Sequence, residues 1–402
     1  MTREKSVPFI HMNSKSAAMV PKKKKKKRKK KSGGGWGNFM PKAAPGCYIV
    51  HDDNLAASPW TIGIDDFFLE DFGLEPGEED AIPDISVDPE TGLLSCVNKM
   101  RLGSPRRSFF ISLGCDVFDS QRQPMPPGHY RDDEGVERQC VTLVVVLGPQ
   151  KIIELCYVQA AVSTADATAF HASLNLYSDI TDVVAGGGEE SCGAAESTPR
   201  KGVYSFPLDC NREVGFLCTQ GMCGCFTHFY PNTQHAIDLE CPVGTPVLAI
   251  GDGKVVDILE SNTVSGIHAS NLYKWNSLMI ALADGNFVEY VHIKTNSVQV
   301  QIGDMVTLGQ HLCDSGDVGF CPRPHLHIQM HSSSRKDAPT IPFEFSPALA
   351  VLNEGKELMD SAVVQANSSV GFVPVAGKRY NAWGELPVAT ASGGAFLVRR
   401  VS

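Results

Sequence analysis

The sequence predicts a mainly β protein: a C-terminal antiparallel β domain preceded by a β-sandwich-like accessory domain. Three observations carry this. Apolar runs are short and stop at Gly, Pro or Asp, which is strand punctuation rather than helical rhythm. Asp252-Gly253 and Asp284-Gly285 lie between apolar runs, where tight turns join strands. The longest apolar run, Val141 to Leu147, is rich in β-branched residues and far short of the roughly 18 residues that span a bilayer.

The chain has 402 residues, enough for two domains with ordinary cores and extended ends. Its 43% hydrophobic and 20% charged content suits a soluble globular protein. Residues 1–46 read as a disordered basic tail. Lys22 to Lys31 are ten consecutive cations, counting Arg28, and residues 1–31 hold thirteen Lys and Arg against Glu4 alone. Such a run repels itself and offers nothing to bury. The whole chain carries −9, so by subtraction residues 32–402 carry −21, an acidic body behind a basic end. Lys22 to Lys31 offers a nuclear address or a contact with nucleic acid or an anionic surface, beside the plainer role of a solvated tail.

Residues 47–184 read as the accessory domain. Arg107 to Leu113 and Cys140 to Leu147 are apolar strands; Lys151 to Val158, after the Gly148-Pro149 break, reads as a hairpin partner of the second. Ser173 to Tyr177 alternates polar and apolar residues, and Asp65 to Asp80 reads as an acidic loop. No catalytic constellation occurs in this part. Residues 185–203, with three consecutive glycines and Pro199, have linker composition. Residues 204–345 form the second β domain, and 346–402 an Ala/Val/Ser-rich extension with one expected helix at 348–359.

Thirteen cysteines is an odd number, and their spacings form no secreted framework. The opening Met-Thr-Arg-Glu-Lys develops no apolar segment of a secretory signal. Reduced thiols in an intracellular compartment, cytoplasmic or nuclear, are the expectation.

Most of the twelve histidines fall between His228 and His331. In Pro324-His325-Leu326-His327-Ile328-Gln329, strand alternation puts His325, His327 and Gln329 on one face. Two imidazoles roughly 6–7 Å apart along a strand can serve one metal site. Asp238 is a carboxylate inside an apolar run, costly to bury unless a metal or donor meets it. In Val288-Glu289-Tyr290-Val291-His292-Ile293, alternation puts Tyr290 and His292 on a shared face.

With Gly244-Thr245-Pro246-Val247, Asp252-Gly253-Lys254-Val255, Asn276, Gly303-Asp304 and Ser315-Gly316, these pieces resemble the lysostaphin-type zinc metallopeptidases. The resemblance covers about Tyr204 to Phe345 and implies a duplicated hybrid motif β fold. It implies Zn2+ held by a histidine, Asp238 and His327, with His325 and His292 handling the water and the tetrahedral intermediate. The first ligand departs from the common pattern, because Gln234 stands where many members carry histidine. His228 and His235 are the candidates. Strand parity sets His235 opposite Asp238, and Gln220-Gly221 followed by Thr227-His228 resembles a subset with its ligand further upstream, so His228 is favoured.

The expected activity is that of a zinc metalloendopeptidase acting on peptide or peptidoglycan-like substrates. His325 is expected to accept the proton of a zinc-activated water and His292 to stabilise the oxyanion. Asn276 and Gln329 are candidates to orient the ligands. The competing reading is a non-catalytic zinc-containing binding or regulatory module on the same fold.

Overall fold

The computed structural model describes residues 46–51, 84–88, 90–99, 107–159, 181–182, 203–209, 215–224, 226–335, 338–347 and 371–386. The run Lys22–Lys31, residues 65–80, Ser173–Tyr177, residues 185–202 and the expected helix at 348–359 lie outside the described residues.

Among the described residues the regular structure consists almost wholly of strands. In the first half these are β1 (Cys47–His51), β2 (Asp84–Val87), β3 (Leu93–Asn98), β4 (Arg107–Leu113), β5 (Val117–Phe118), β6 (Gly128–Arg131), β7 (Glu137–Leu147), β8 (Lys151–Val158) and β9 (Thr181–Asp182). In the second half they are β10 (Val203–Tyr204), β11 (Phe216–Gln220), β12 (Ile237–Glu240), β13 (Pro246–Leu248), β14 (Gly253–Leu259), β15 (Ser265–Gly266), β16 (Ser277–Leu282) and β17 (Phe287–Val291). The series ends with β18 (Met305–Val306), β19 (His311–Asp314), β20 (His325–His331), β21 (Glu344–Phe345), β22 (Arg379–Asn381) and β23 (Gly384–Leu386). Among the described residues the only helical element is the 3-10 turn Ala269–Asn271, and no helix is long and apolar enough to cross a membrane.

In the first half a six-stranded sheet runs β15-β6-β7-β4-β9, with β1 also on β7, and a four-stranded sheet runs β2-β3-β8-β5. One apolar cluster holds Phe109, Ile111, Leu143 and Val145 of the first sheet with Leu94, Cys96, Leu155 and Cys156 of the second. The expected hairpin between Cys140–Leu147 and Lys151–Val158 does not form. β7 is flanked by β4 on one edge and by β6 and β1 on the other, so β8 crosses into the other sheet and pairs with β3 and β5.

The second half is dominated by a nine-stranded sheet in the order β18-β14-β16-β17-β20-β12-β11-β22-β23. All its pairings are antiparallel. β22 and β23 come from the stretch after Phe345 that the sequence left featureless, and they extend the sheet beyond β11. One face of this sheet buries Ile237, Leu239, Leu278, Ile280, Tyr290, Leu326, Ile328 and Met330 in a common core. The opposite face of its centre carries the histidines.

Candidate metal centre

Register assembles the site. β12 lies between β11 and β20, and β17 flanks β20 on its far side. Asp238 stands opposite Gln220 on one side and His327 on the other, and His327 stands opposite Val291. The neighbouring rows pair Glu240 with His325, and Gln329 with Glu289. A period of two then puts His325, His327 and Gln329 on one face while Leu326, Ile328 and Met330 enter the core.

His228 arrives from the loop after β11, and Gln220 holds it there. Gln220 Oε1 accepts the N–H groups of Phe226 and Thr227 at 3.0 and 2.9 Å. Its amide nitrogen donates to Thr227 Oγ1 at 2.8 Å and to Asp238 Oδ2 at 3.0 Å. One buried glutamine thus fixes the loop and the carboxylate together. The sequence marked Gln220 only as part of a motif.

His292 follows the last residue of β17 with φ 61°, left-handed backbone that costs a non-glycine residue energy. The expected shared face of Tyr290 and His292 is therefore overturned. Tyr290 points into the core, where its hydroxyl accepts the Ile250 N–H at 3.0 Å, while the left-handed step swings His292 into the cleft.

His235 does not join. Its ring is buried and its Nδ1–H donates to the Thr340 carbonyl at 2.9 Å. Asn276 pins loops, with its oxygen accepting the Asn262 N–H and its nitrogen donating to Asn262 O and Thr295 Oγ1. Gln329 does reach a ligand candidate, its oxygen lying 3.0 Å from His327 Nε2.

Three atoms converge at the centre. His327 Nδ1 and His228 Nε2 lie 2.9 and 3.2 Å from Asp238 Oδ1, and 3.3 Å from each other. Their protonation follows from their outer partners. The Gly221 carbonyl, 2.9 Å from His228 Nδ1, can only accept, so that nitrogen carries the proton and Nε2 is a lone pair. Gln329 donates its amide nitrogen to Glu289 Oε2 at 2.8 Å, so its oxygen faces His327 Nε2, which carries the proton. His327 Nδ1 is then a lone pair as well. Three acceptors pressed together with no hydrogen among them are an arrangement that a cation relieves, and two imidazoles with one carboxylate form a donor set that fits zinc.

A second set, His292, His325 and His327, brings three ligand atoms within 4.8 Å of one another. The His292 and His325 rings are 4.6 Å apart between centroids. His325 Nδ1 lies 2.7 Å from Arg323 O and His292 Nδ1 2.6 Å from Val318 O, so both donate there and both turn Nε2 to the cleft. Burial disfavours charge on Asp238, yet His228 and His325 hold its carboxyl well below the usual carboxylate range. Burial also disfavours charge on His325, but Cys321 and Asp238 raise its pKa well above the usual histidine value. Burial, then His325 and His327, push His292 well below it. Burial lowers His228 too, against the pull of Asp238, which keeps a ligand neutral.

The cleft beside these groups is walled by aromatic side chains, Tyr230, Tyr273, Trp275 and Phe320, with Thr227 and Asn232 at its polar side. Nine described cysteines are free, Cys321 among them, whereas Cys223 is disulfide-bonded, against the expectation of thiols throughout.

Residues 232–339 match the model of Peptidase family M23. His228 lies just before the matched stretch. Over 102 residues the chain is 34% identical to glycyl-glycine endopeptidase ALE-1 of Staphylococcus capitis, covering 25% of this chain and 25% of that protein. Over 97 residues it is 33% identical to lysostaphin of Staphylococcus simulans, covering 24% of this chain and 17% of that protein. The chain thus spans about a quarter or less of the length of these curated relatives. The solved catalytic domain of Staphylococcus simulans lysostaphin is 26% identical, covering 36% of this chain and 90% of that one with a TM-score of 0.23.

Proposed function

We propose that this chain, which carries an M23-type peptidase domain, is a zinc metalloendopeptidase whose substrates are peptides of the peptidoglycan cross-bridge class. The observation that carries the reading is the convergence of His228 Nε2, Asp238 Oδ1 and His327 Nδ1, each presenting a lone pair to the others. These three residues would hold the metal. When bound, zinc supplies Lewis acidity at a peptide carbonyl and lowers the pKa of water to about 7.

The rest falls to the chain's own side chains. In the metal-free site Cys321 and then the charge of Asp238 help hold a proton on His325, whose Nε2 lies 3.4 Å from Asp238 Oδ1. Engaging that carboxylate with a metal would remove Asp238's share of the attraction, favouring His325 Nε2 as the base for the attacking water. Arg323 O keeps the ring aimed through Nδ1. His292, its Nδ1–H taken by Val318 O and its proton affinity lowered by burial and its neighbours, stabilises the oxyanion only after Nε2 takes up a second proton. The proton that His325 takes from the water passes to the leaving amine, which closes the proton balance. The aromatic cleft excludes water around the reacting bond. The relatives' printed names, a glycyl-glycine endopeptidase among them, support a substrate rich in small residues.

The test measures zinc content and cleavage of purified peptidoglycan and polyglycine peptides by the full chain. His228→Ala should lose zinc and turnover, while His235→Ala keeps both. His325→Ala should keep zinc and lose about 10²–10⁴-fold in kcat. Zinc retained in His228→Ala and lost in His235→Ala would reverse the ligand choice. Full zinc without cleavage of either substrate would favour a binding module.

A further inference from the structure

We propose that Glu289 is a positioning residue that selects the tautomer of His327, acting through Gln329. The inference rests on the metal-site reading above and names a residue that no motif marks. Glu289 lies on β17 directly opposite Gln329 on β20, and both are buried, 2% and 3% exposed. Gln329 is symmetric in shape but not in chemistry, because one end accepts and the other donates. Nothing in His327 decides which end it meets. Glu289 decides it. An ionised carboxylate only accepts, so the amide nitrogen of Gln329 turns to Glu289 Oε2 at 2.8 Å. The amide oxygen is left 3.0 Å from His327 Nε2. His327 must then place its proton on Nε2 and present Nδ1 to Asp238 and His228. Rotating the glutamine by half a turn would set two acceptors 2.8 Å apart in a buried site and move the His327 proton to Nδ1, where it would block the metal.

The Glu289 carboxylate also takes a hydrogen bond from the Ser277 side chain, and both residues are buried. His331 donates Nδ1–H to Ala338 O at 2.9 Å and leaves its Nε2 3.4 Å from Glu289 Oε2 with no hydrogen bond between them. Orientation therefore passes from Glu289 to Gln329 to His327, each fixing the next. Ordinary packing would ask for an apolar residue opposite Gln329. A charge kept at 2% exposure, aimed at the amide that touches His327, has a use.

The experiment reads the tautomer directly. The full chain, labelled with 15N-histidine, is examined at pH 8 without metal and with zinc, the His327 signals being identified by their absence in His327→Asn. Zinc affinity is measured by competition with a chromophoric chelator, and thermal unfolding of the metal-free chains controls for folding. The wild type should show the Nε2–H form. Glu289→Leu should populate the Nδ1–H form and weaken zinc binding about 10–100-fold. Gln329→Leu, which removes the acceptor while leaving Glu289, should weaken zinc similarly and covers the case in which the first variant fails to fold. The exchanged pair Glu289→Gln with Gln329→Glu restores an acceptor toward His327 Nε2 and should recover both the tautomer and the affinity, which a purely structural role would not. An unchanged tautomer with zinc affinity within about threefold of wild type in the two leucine variants would overturn the proposal. A wild type that binds no zinc would instead remove the peptidase reading, while the metal-free tautomer would still decide the role of Glu289.

Discussion

Gly316 shows how narrowly the site is fitted at the level of single residues. A Cβ there would meet the His292 carbonyl oxygen and the Lys294 nitrogen, both at 2.7 Å. Both are backbone atoms of the segment that carries His292, already held at φ 61° and joined to Ser315 by a bridge at Ile293. That segment cannot move aside without turning the imidazole. Gly316→Ala should therefore keep zinc, since His228, Asp238 and His327 lie on other strands and loops, yet lower kcat by about 10²-fold for a displacement near 1 Å. Measuring zinc content and kcat on the same preparation checks this. An unchanged kcat would mean that the segment yields without moving His292.

At the level of elements, the sequence was most legible where a period of two could be counted. Leu326, Ile328 and Met330 alternate with His325, His327 and Gln329, and β20 faces the core and the site accordingly. Asp284-Gly285 closes the turn between β16 and β17, with Gly285 at φ 87°. Counting failed where backbone or partner choice is not local. His292 breaks parity by a left-handed step that no glycine announces, so Tyr290 and His292 part company. Lys151–Val158 reads as a partner of its neighbour until β6, β1 and β4 are seen to occupy both edges of β7. Asp252-Gly253 reads as a hairpin turn, yet the strands on either side, β13 and β14, pair elsewhere. Glu289 looked like any strand glutamate, because its meaning lies in a residue forty positions away. The convergence of His325, His327 and Asp238 was legible in residue type, and its outer hydrogen bonds were not, since they depend on register between strands distant in sequence.

The two halves of the molecule share a seam, and the seam forms the back of the cleft. Phe110, Tyr130, Val144 and Val146 of the first half share a cluster with Phe226, Phe229, Tyr230, Ile267, Leu272 and Phe320 of the second. Ser108 and Tyr230 hydroxyls lie 2.8 Å apart, Thr142 Oγ1 donates to Ile267 O, and β15 pairs with β6. His268 stacks on Tyr130 there, its pKa pushed down to about 4 by burial and then by Lys274. A base depressed on folding takes its proton first in the unfolded chain, so its stability contribution is complete above about 6.5 and is lost as pH falls toward 4. His268→Asn, which keeps a side-chain acceptor for the Ser270 N–H, should match wild type in Tm near pH 7.5 and lose less Tm between pH 6.5 and 4.5. Parallel melting curves at both ends of that range would refute this. The same seam predicts that the accessory half shapes substrate binding. Phe110 is fully buried and meets the edge of Phe320, a cleft wall, at 5.4 Å between centroids. Phe110→Ala should cost about 3–5 kcal/mol and let Phe320 relax into the void. KM should then rise several-fold while zinc content and the pH profile of kcat stay fixed. Leu94→Ala is the control, because Leu94 is equally buried but belongs to the cluster between the two accessory sheets. It should lower stability by about 2–5 kcal/mol with no change in KM. Equal KM shifts in the two variants would mean that the accessory half acts through stability alone; a shift confined to Phe110→Ala would tie it to the cleft wall.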